Sequence, residues 1–404
     1  MTSKNTKRNS VLVPQGDPRG FALPASYACV RSLGNYNVDV IVSSRMRKVP
    51  ESTSRYCDET VVIPAPQDDL LAYKDALVGI AARPNVRTIV PVGEEDIYVL
   101  SKYQSEFERY VNLVVPPLDT LRNAHDRMAL VKAAEEARVP APETRLLDDV
   151  QSWTRNSIIK SRYNILTHEY IDSFSANNMH VVRNTEHLQS GEEPDVSKIC
   201  NEMKHIPIIQ EFVPIANRYM FASLYDHGEP LATFQHRQIR GNSYTGGGGV
   251  YRKSVYIPEL EKVAQKLLNH IDWHGLACVE YIEDANTGEF KPIEINPRMW
   301  QSSLATARMG ADFPHYYWLQ TMERQEQIQP RYELGVGSHY LRGEIGYLMS
   351  VLRDDSPLVE RPKIYTALWE LLSSYYEQPY FDYLCFDDPM PFIHNFLRHI
   401  RAVR

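Results

Sequence analysis

Residues 273–301 constrain this chain more than any other stretch. Two apolar runs, 277–282 and 292–298, flank the turn-rich segment Glu283-Asp284-Ala285-Asn286-Thr287-Gly288-Glu289, a pattern that predicts a β-hairpin. Side chains alternate along a strand, so Ile293 and Ile295 face one way and Glu294, Asn296 and Arg298 the other. Residues 280 and 294 are symmetric about Thr287, which sets Glu280 across from Glu294. Like charges opposed on a sheet repel. A cation between them would resolve the conflict, and two carboxylates with an amide oxygen form a hard-ligand set suited to magnesium on nucleotide phosphates. An edge hairpin with solvated acids fits the same pattern.

The chain has 404 residues, too long for one ordinary core and consistent with two or three domains. Its 43% hydrophobic and 24% charged residues are globular values. A net charge of −7, with both signs interspersed, gives no electrostatic case for a nucleic-acid partner. No apolar run approaches the ~18 residues that span a bilayer, so no membrane partner is expected. The polar, basic segment 1–10 lacks the apolar stretch of a secretory signal. Cysteines at 29, 57, 200, 278 and 385 have no paired spacing and fit reduced thiols. A cytoplasmic protein is expected.

Residues 11–120 read as an α/β unit. Apolar runs at 11–14, 38–43, 60–63, 87–92 and 111–115 predict five strands, with helices at 23–34, 68–82 and 96–110. That alternation implies a parallel, doubly wound sheet. The Gly16/Gly20 turn lacks the third glycine of a dinucleotide fingerprint, and Pro18 intrudes. Glu94, Glu95 and Asp96 suit the N-terminus of the helix they open. Beyond this unit, 126–138 is an amphipathic helix stopped at Pro140, 157–160 a short strand ending on Lys160, and 207–213 a strand broken by Pro214. Segments 218–225 and 230–235 form a hairpin around Asp226-His227-Gly228-Glu229. Four glycines at 246–249 predict a flexible loop. Helices are expected at 259–270, 314–326, 347–353 and 365–377, and 162–191 has no clear period.

Taken in order, the polar features are Lys160, the Gln210-Glu211-Phe212-Val213 strand, His236-Arg237-Gln238-Ile239-Arg240, the glycine run, then Glu280, Glu294, Asn296 and Arg298. This order and spacing resemble the ATP-grasp superfamily, in particular its carbamoyl-phosphate-synthase-like and carboxylate–amine ligase members. The resemblance covers roughly residues 100–325 and is most specific in GLACVEYIEDANTGEFKPIEINPRMW. It implies a mixed α/β and α+β fold with four parts. These are a Rossmann-like pre-ATP-grasp domain at 1–120, a small lobe at 121–205, a large lobe with the metal site at 206–330, and a largely helical extension at 331–404. The lobes would carry antiparallel sheets.

The resemblance also assigns roles. Glu280, Glu294 and Asn296 would hold Mg²⁺, or Mn²⁺, on the ATP phosphates. Arg298 and Lys160 would neutralise the transferred phosphoryl group, and Arg240, in a basic cluster with His236 and Arg237, would hold an anionic acceptor or acyl phosphate. Arg127 stands where many members have lysine. Gln210, Glu211, Phe212 and Val213 match the segment on which adenine lies, read by peptide groups near Phe212 and Val213. Asn217 would serve the ribose. The usual glycine-rich phosphate flap is missing after Lys160, leaving residues 161–163 or glycines 246–249 to close over the nucleotide. The expected reaction joins a carboxylate to an amine through an acyl phosphate, releasing ADP and phosphate. A small-molecule kinase or a degenerate nucleotide-binding sensor are the alternatives. The aromatic C-terminal block would either cap the pocket or make a homodimer.

Overall fold

The computed structural model describes residues 9–403 apart from 18, 22 and 183, so segment 1–8 and Pro18 lie outside it. Strands β1 (Ser10–Gln15), β2 (Asp39–Ser44), β3 (Glu59–Val62) and β4 (Val86–Ile89) form a parallel sheet in the order β3-β2-β1-β4. Helices α1 (Pro24–Asn35), α2 (Leu70–Ala81), α3 (Glu94–Lys102) and α4 (Gln104–Phe107) connect and follow these strands. Asp69 caps α2 by accepting from the Ala72 N–H at 2.9 Å. Two expectations fail here. The helix predicted at 96–110 breaks at Tyr103, and 111–115 forms no strand. Asn112 reaches the carbonyl of Arg87, but prolines at 116 and 117 bring no N–H to extend a ladder. Val111, Val114 and Val115 are buried all the same.

Helices α5 (Leu118–His125) and α6 (Arg127–Glu136) lead into a small lobe, with Asp126 between them capping α6 through the Met128 N–H. Its strands β5 (Thr144–Leu146), β6 (Ser157–Lys160), β9 (Thr185–Leu188) and β10 (Ile208–Glu211) form an antiparallel sheet in the order β5-β10-β6-β9, backed by α7 (Val196–Met203). The segment without a clear period contains a two-residue ladder, β7 (Ile165–Leu166) with β8 (His180–Val181). Leu147, Ile159, Leu188, Ile199, Met203 and Ile209 give this sheet a core of its own.

A six-stranded antiparallel sheet makes the large lobe. Its strands are β11 (Ile215–Asp226), β12 (Glu229–Ser243), β13 (Gly246–Val255), β14 (Gly275–Asp284), β15 (Phe290–Asn296) and β16 (Gly337–His339), in the order β15-β14-β11-β12-β13-β16. Helices α8 (Pro258–His270), α9 (Ser303–Arg308) and α10 (Phe313–Thr321) pack around it, and α11 (Leu341–Arg353), α12 (Ile364–Glu377) and α13 (Met390–Val403) follow. The glycine run is no free loop. It opens β13, pairing with β12 through three register slips, as at Gly241↔Gly249 and Ser243↔Gly246. Gly246 and Gly247 take positive φ (138° and 88°), which only glycine adopts at low cost. The C-terminal segment is largely helical, as expected, and its short strand β16 adds the sixth strand on β13.

The large sheet and the N-terminal sheet share their cores. One cluster joins Leu12, Ile41 and Tyr73 to Trp273, Val279 and Tyr281, and a second joins Val11 and Val40 to Leu224, Cys278 and Trp300. The units approach closely at Gly275, whose φ is +91° and where a Cβ would lie 2.6 Å from the Val114 carbonyl oxygen. Gly275→Ala therefore combines strain with a backbone clash. It should cost about 1–3 kcal/mol, visible as a lowered urea midpoint with an unchanged slope.

Candidate functional site

The predicted hairpin forms in the predicted register. Glu280 pairs with Glu294 and Cys278 with Asn296, with a bulge after Glu280. Antiparallel pairing carries the same row across the sheet, Glu294–Glu280–Met220–His236–Ser254, and the next row runs Ile282–Arg218–Gln238–Arg252. Side chains two apart along a strand share a face, so both rows lie on one side of the sheet. Further along that face, Ala222, Leu224, Phe234 and Cys278 are buried in the core. The face thus changes from packing surface to polar floor at Met220.

Charges of both signs are laid out around the two carboxylates. Arg127, in the first turn of α6, donates from Nη1 to the Ser161 carbonyl (2.8 Å) and from Nη2 to Glu294 Oε2 (3.1 Å). Asn296 Nδ2 reaches Glu280 Oε1 at 3.3 Å, and Arg298 Nη2 donates to Asn296 Oδ1 at 3.2 Å. Arg298 is buried, not a surface group, and its Nε meets Glu94 Oε1 at 2.8 Å. His125 Nε2 stands 3.4 Å from the other Glu94 oxygen. Glu94 therefore does more than serve a helix end, a task that falls to Asp96, which accepts from the N–H groups of Val92 and Gly93. This end of α3 follows the carboxyl end of parallel β4, where open α/β sheets place their crevices.

The small lobe brings Lys160 over this floor. Its Nζ donates to Gln210 Oε1 at 2.9 Å, and Gln210 Nε2 donates to Thr144 Oγ1 at 2.9 Å. Burial pulls the Lys160 ammonium down to about 8, aided by the Arg127 and Arg218 cations and opposed by Glu294 and Glu280. Burial also lowers Arg218, against the attraction of Glu280. His236 is pushed to about 3 by burial and then by Arg252, so it is neutral at ordinary pH. Between the lobes lies a cavity of about 490 Å³, lined among others by His187, Phe212, Arg218, Gln238, Tyr244 and Glu360. Segment 354–363, between α11 and α12, lines it through Leu358, Val359 and Glu360. Ser356 Oγ lies 3.1 Å from His187 Nδ1, and the Pro357 carbonyl accepts from Gln189 Nε2 at 3.0 Å.

The structure brings together Lys160, Arg127, Glu280, Glu294, Asn296 and Arg298, and it separates others. Asn217 alternates to the opposite face, where its Nδ2 is held 2.6 Å from Glu283 Oε2; Arg218 takes the cavity side instead. Only the phase of β11 could have shown this, and a bulge near Asn217 obscures it. The N–H groups of Glu211 and Phe212 are spent on the carbonyls of Glu143 and Asn156, leaving the Phe212 ring to line the cavity. Among the described residues the Val213 N–H has no backbone acceptor. Residues 161–163 are no flap, because Ser161 is buried and donates to the Tyr163 carbonyl at 2.6 Å. The basic cluster also divides: His236 is buried, Arg237 is exposed, and Arg240 donates to Glu344 Oε1 at 2.6 Å on α11, away from this cavity.

No family model and no curated protein sequence matches the chain. Solved structures do. An N5-carboxyaminoimidazole ribonucleotide synthetase, solved as its ADP complex, is 15% identical with a TM-score of 0.58, over 91% of this chain and 96% of that one. An L-amino acid ligase from Bacillus licheniformis is 12% identical, TM-score 0.56, over 80% of this chain and 78% of its own. Pyruvate carboxylase from Rhizobium etli is 16% identical, TM-score 0.57, over 82% of this chain but only 29% of its own length. The chain therefore has the fold of the ATP-grasp proteins.

Proposed function

We infer that the chain is an ATP-dependent ligase that joins a carboxylate to an amine and releases ADP and phosphate. One observation carries this reading: Lys160, Arg127 and Arg218 converge from both lobes on the carboxylate pair Glu280/Glu294, and Arg218 also lines the cavity between the lobes. Like-charged carboxylates paired across a ladder offer hard oxygen donors, and the Asn296 amide stands beside them with its oxygen on Arg298 and its nitrogen on Glu280. Glu280, Glu294 and Asn296 would hold Mg²⁺, which supplies charge neutralisation on the β- and γ-phosphates.

The remaining roles belong to the chain's own groups. Lys160, Arg127 and Arg218 take up phosphate charge, and the Phe212 ring packs the base. Arg298, committed to Glu94 and Asn296, is a positioning residue that orients the amide. In the first step a carboxylate oxygen of the substrate attacks the γ-phosphorus, the bond to the β-bridging oxygen breaks, and ADP leaves. In the second step the amine nitrogen attacks the acyl carbon. The C–N bond forms, the C–O bond to phosphate breaks, and the proton shed by the amine leaves with phosphate or to water.

Glu294→Ala should lower amine- and carboxylate-dependent ADP formation by roughly 10²-fold or more, the scale of losing one electrostatic contact to the reacting group. Melting without ligands should move little, because Glu294 is only half-buried. Coupled ADP assays and calorimetry check both. Release of AMP and pyrophosphate would rule out the acyl-phosphate route, and Mg-ATP binding without turnover would point to a nucleotide sensor.

Lys160 gives a pH signature. In the free protein it is neutral above about 8, while bound phosphates favour the ammonium. Mg-ATP affinity should therefore fall as pH rises from 8 to 10. Titration calorimetry at pH 8.5, in buffers of different ionisation enthalpy, should show proton uptake that Lys160→Met abolishes. The stability effect has the opposite sense. A depressed lysine costs stability below pH 8, and that cost is relieved as pH rises toward the unfolded value near 10.5.

A further inference from the structure

A second cavity of about 490 Å³ lies between the far part of the β12–β13 hairpin and helices α11 and α12. It shares part of its wall with the first, including Tyr244 and Glu360. Arg240 lines it and is only 7% exposed. Its Nη1 donates to Glu344 Oε1, and that fully buried oxygen also lies 3.0 Å from His339 Nδ1. The guanidinium carbon sits 5.6 Å from the Tyr251 ring centroid and 5.5 Å from that of Tyr347. Ion pair and rings fix the side chain, yet among the described residues Nη1 is its only nitrogen with a protein acceptor. A buried, immobilised guanidinium with N–H groups to spare at a cavity wall is built for a planar anion.

The rim has the opposite charge. Glu360 and Glu370 line the same cavity, are exposed, and have no ion-pair partner among the described residues. Glu360 stands on the wall common to both cavities. With Arg240 already balanced by Glu344, the lining is acidic overall. A second anionic group on a ligand would be repelled, whereas a cationic one would be welcomed.

We propose that this cavity binds an α-amino acid with a neutral or basic side chain. Its carboxylate lies on Arg240, and its amino group lies toward Glu360 and the nucleotide cavity. On the ligase reading above, this amino acid is the amine that captures the acyl phosphate. Binding itself does not depend on that reading.

The test titrates L-leucine, L-lysine, L-glutamate and the decarboxylated analogues isoamylamine and cadaverine into the full chain, with and without Mg-ADP. Saturation-transfer NMR reads the binding. L-leucine and L-lysine should bind at least tenfold more tightly than their decarboxylated analogues, and L-glutamate tenfold more weakly than either amino acid. Arg240→Gln should erase the preference for a carboxylate. Because that change leaves the buried Glu344 with His339 but no guanidinium, Glu370→Gln is the companion variant, and it should admit L-glutamate without unfolding the chain. Equal binding of L-leucine and isoamylamine, or no amino-acid binding where Mg-ADP binds, overturns the proposal. L-leucine binding without Mg-ADP binding would sink the ligase reading and leave the amino-acid site standing.

Discussion

Two carboxylates fixed opposite each other, Glu280 and Glu294, set the terms for the surrounding structure. Left alone, the pair would work against the ladder that creates it. The chain answers with cations and amides drawn from distant segments: Arg127 from α6, Arg298 from just past the hairpin, Lys160 from the end of β6 and Arg218 from β11. Arg298 in turn needs Glu94, and so the N-terminal unit becomes part of the site. Arg127 and Arg298 are balanced by Glu294 and Glu94, while Lys160 and Arg218 stay close enough to repel each other across the floor.

Much of this was legible because it rests on short-range rules. A turn-rich segment centred on Thr287 and a period of two were enough to oppose Glu280 and Glu294, and the strand ending at Lys160 was equally plain. What escaped depends on phase or on distance. Asn217 and Arg218 are adjacent, so a bulge at the start of β11 decides which of them faces the cavity. The partner of Arg240 lies 104 residues further on, and no local pattern announces Glu344. The glycine run reads as a loop by composition, yet its neighbour strand supplies enough pairing to hold it in β13. The run at 111–115 shows the converse, apolar and buried but without donors to join a sheet.

The C-terminal segment contributes more than its helices suggested. Through β16 it completes the large sheet, through Glu344 it pins Arg240, and through residues 354–363 it reaches the small lobe at His187 and Gln189. The two cavities are therefore lined jointly by elements far apart in sequence.

The distribution of cores carries a mechanical consequence. The parallel sheet and the six-stranded sheet are sewn together by clusters that run through both, so neither can loosen without exposing the apolar surface of the other. The β5-β10-β6-β9 sheet keeps its own small core and reaches the remainder through polar contacts such as Glu211 with Lys291 and His187 with Ser356. In amide exchange the first pair should behave as one cooperative block, while the sheet bearing Lys160 forms a separate, softer one. The lysine thus rides on the part of the molecule that costs least to displace, and the carboxylates on the part that costs most.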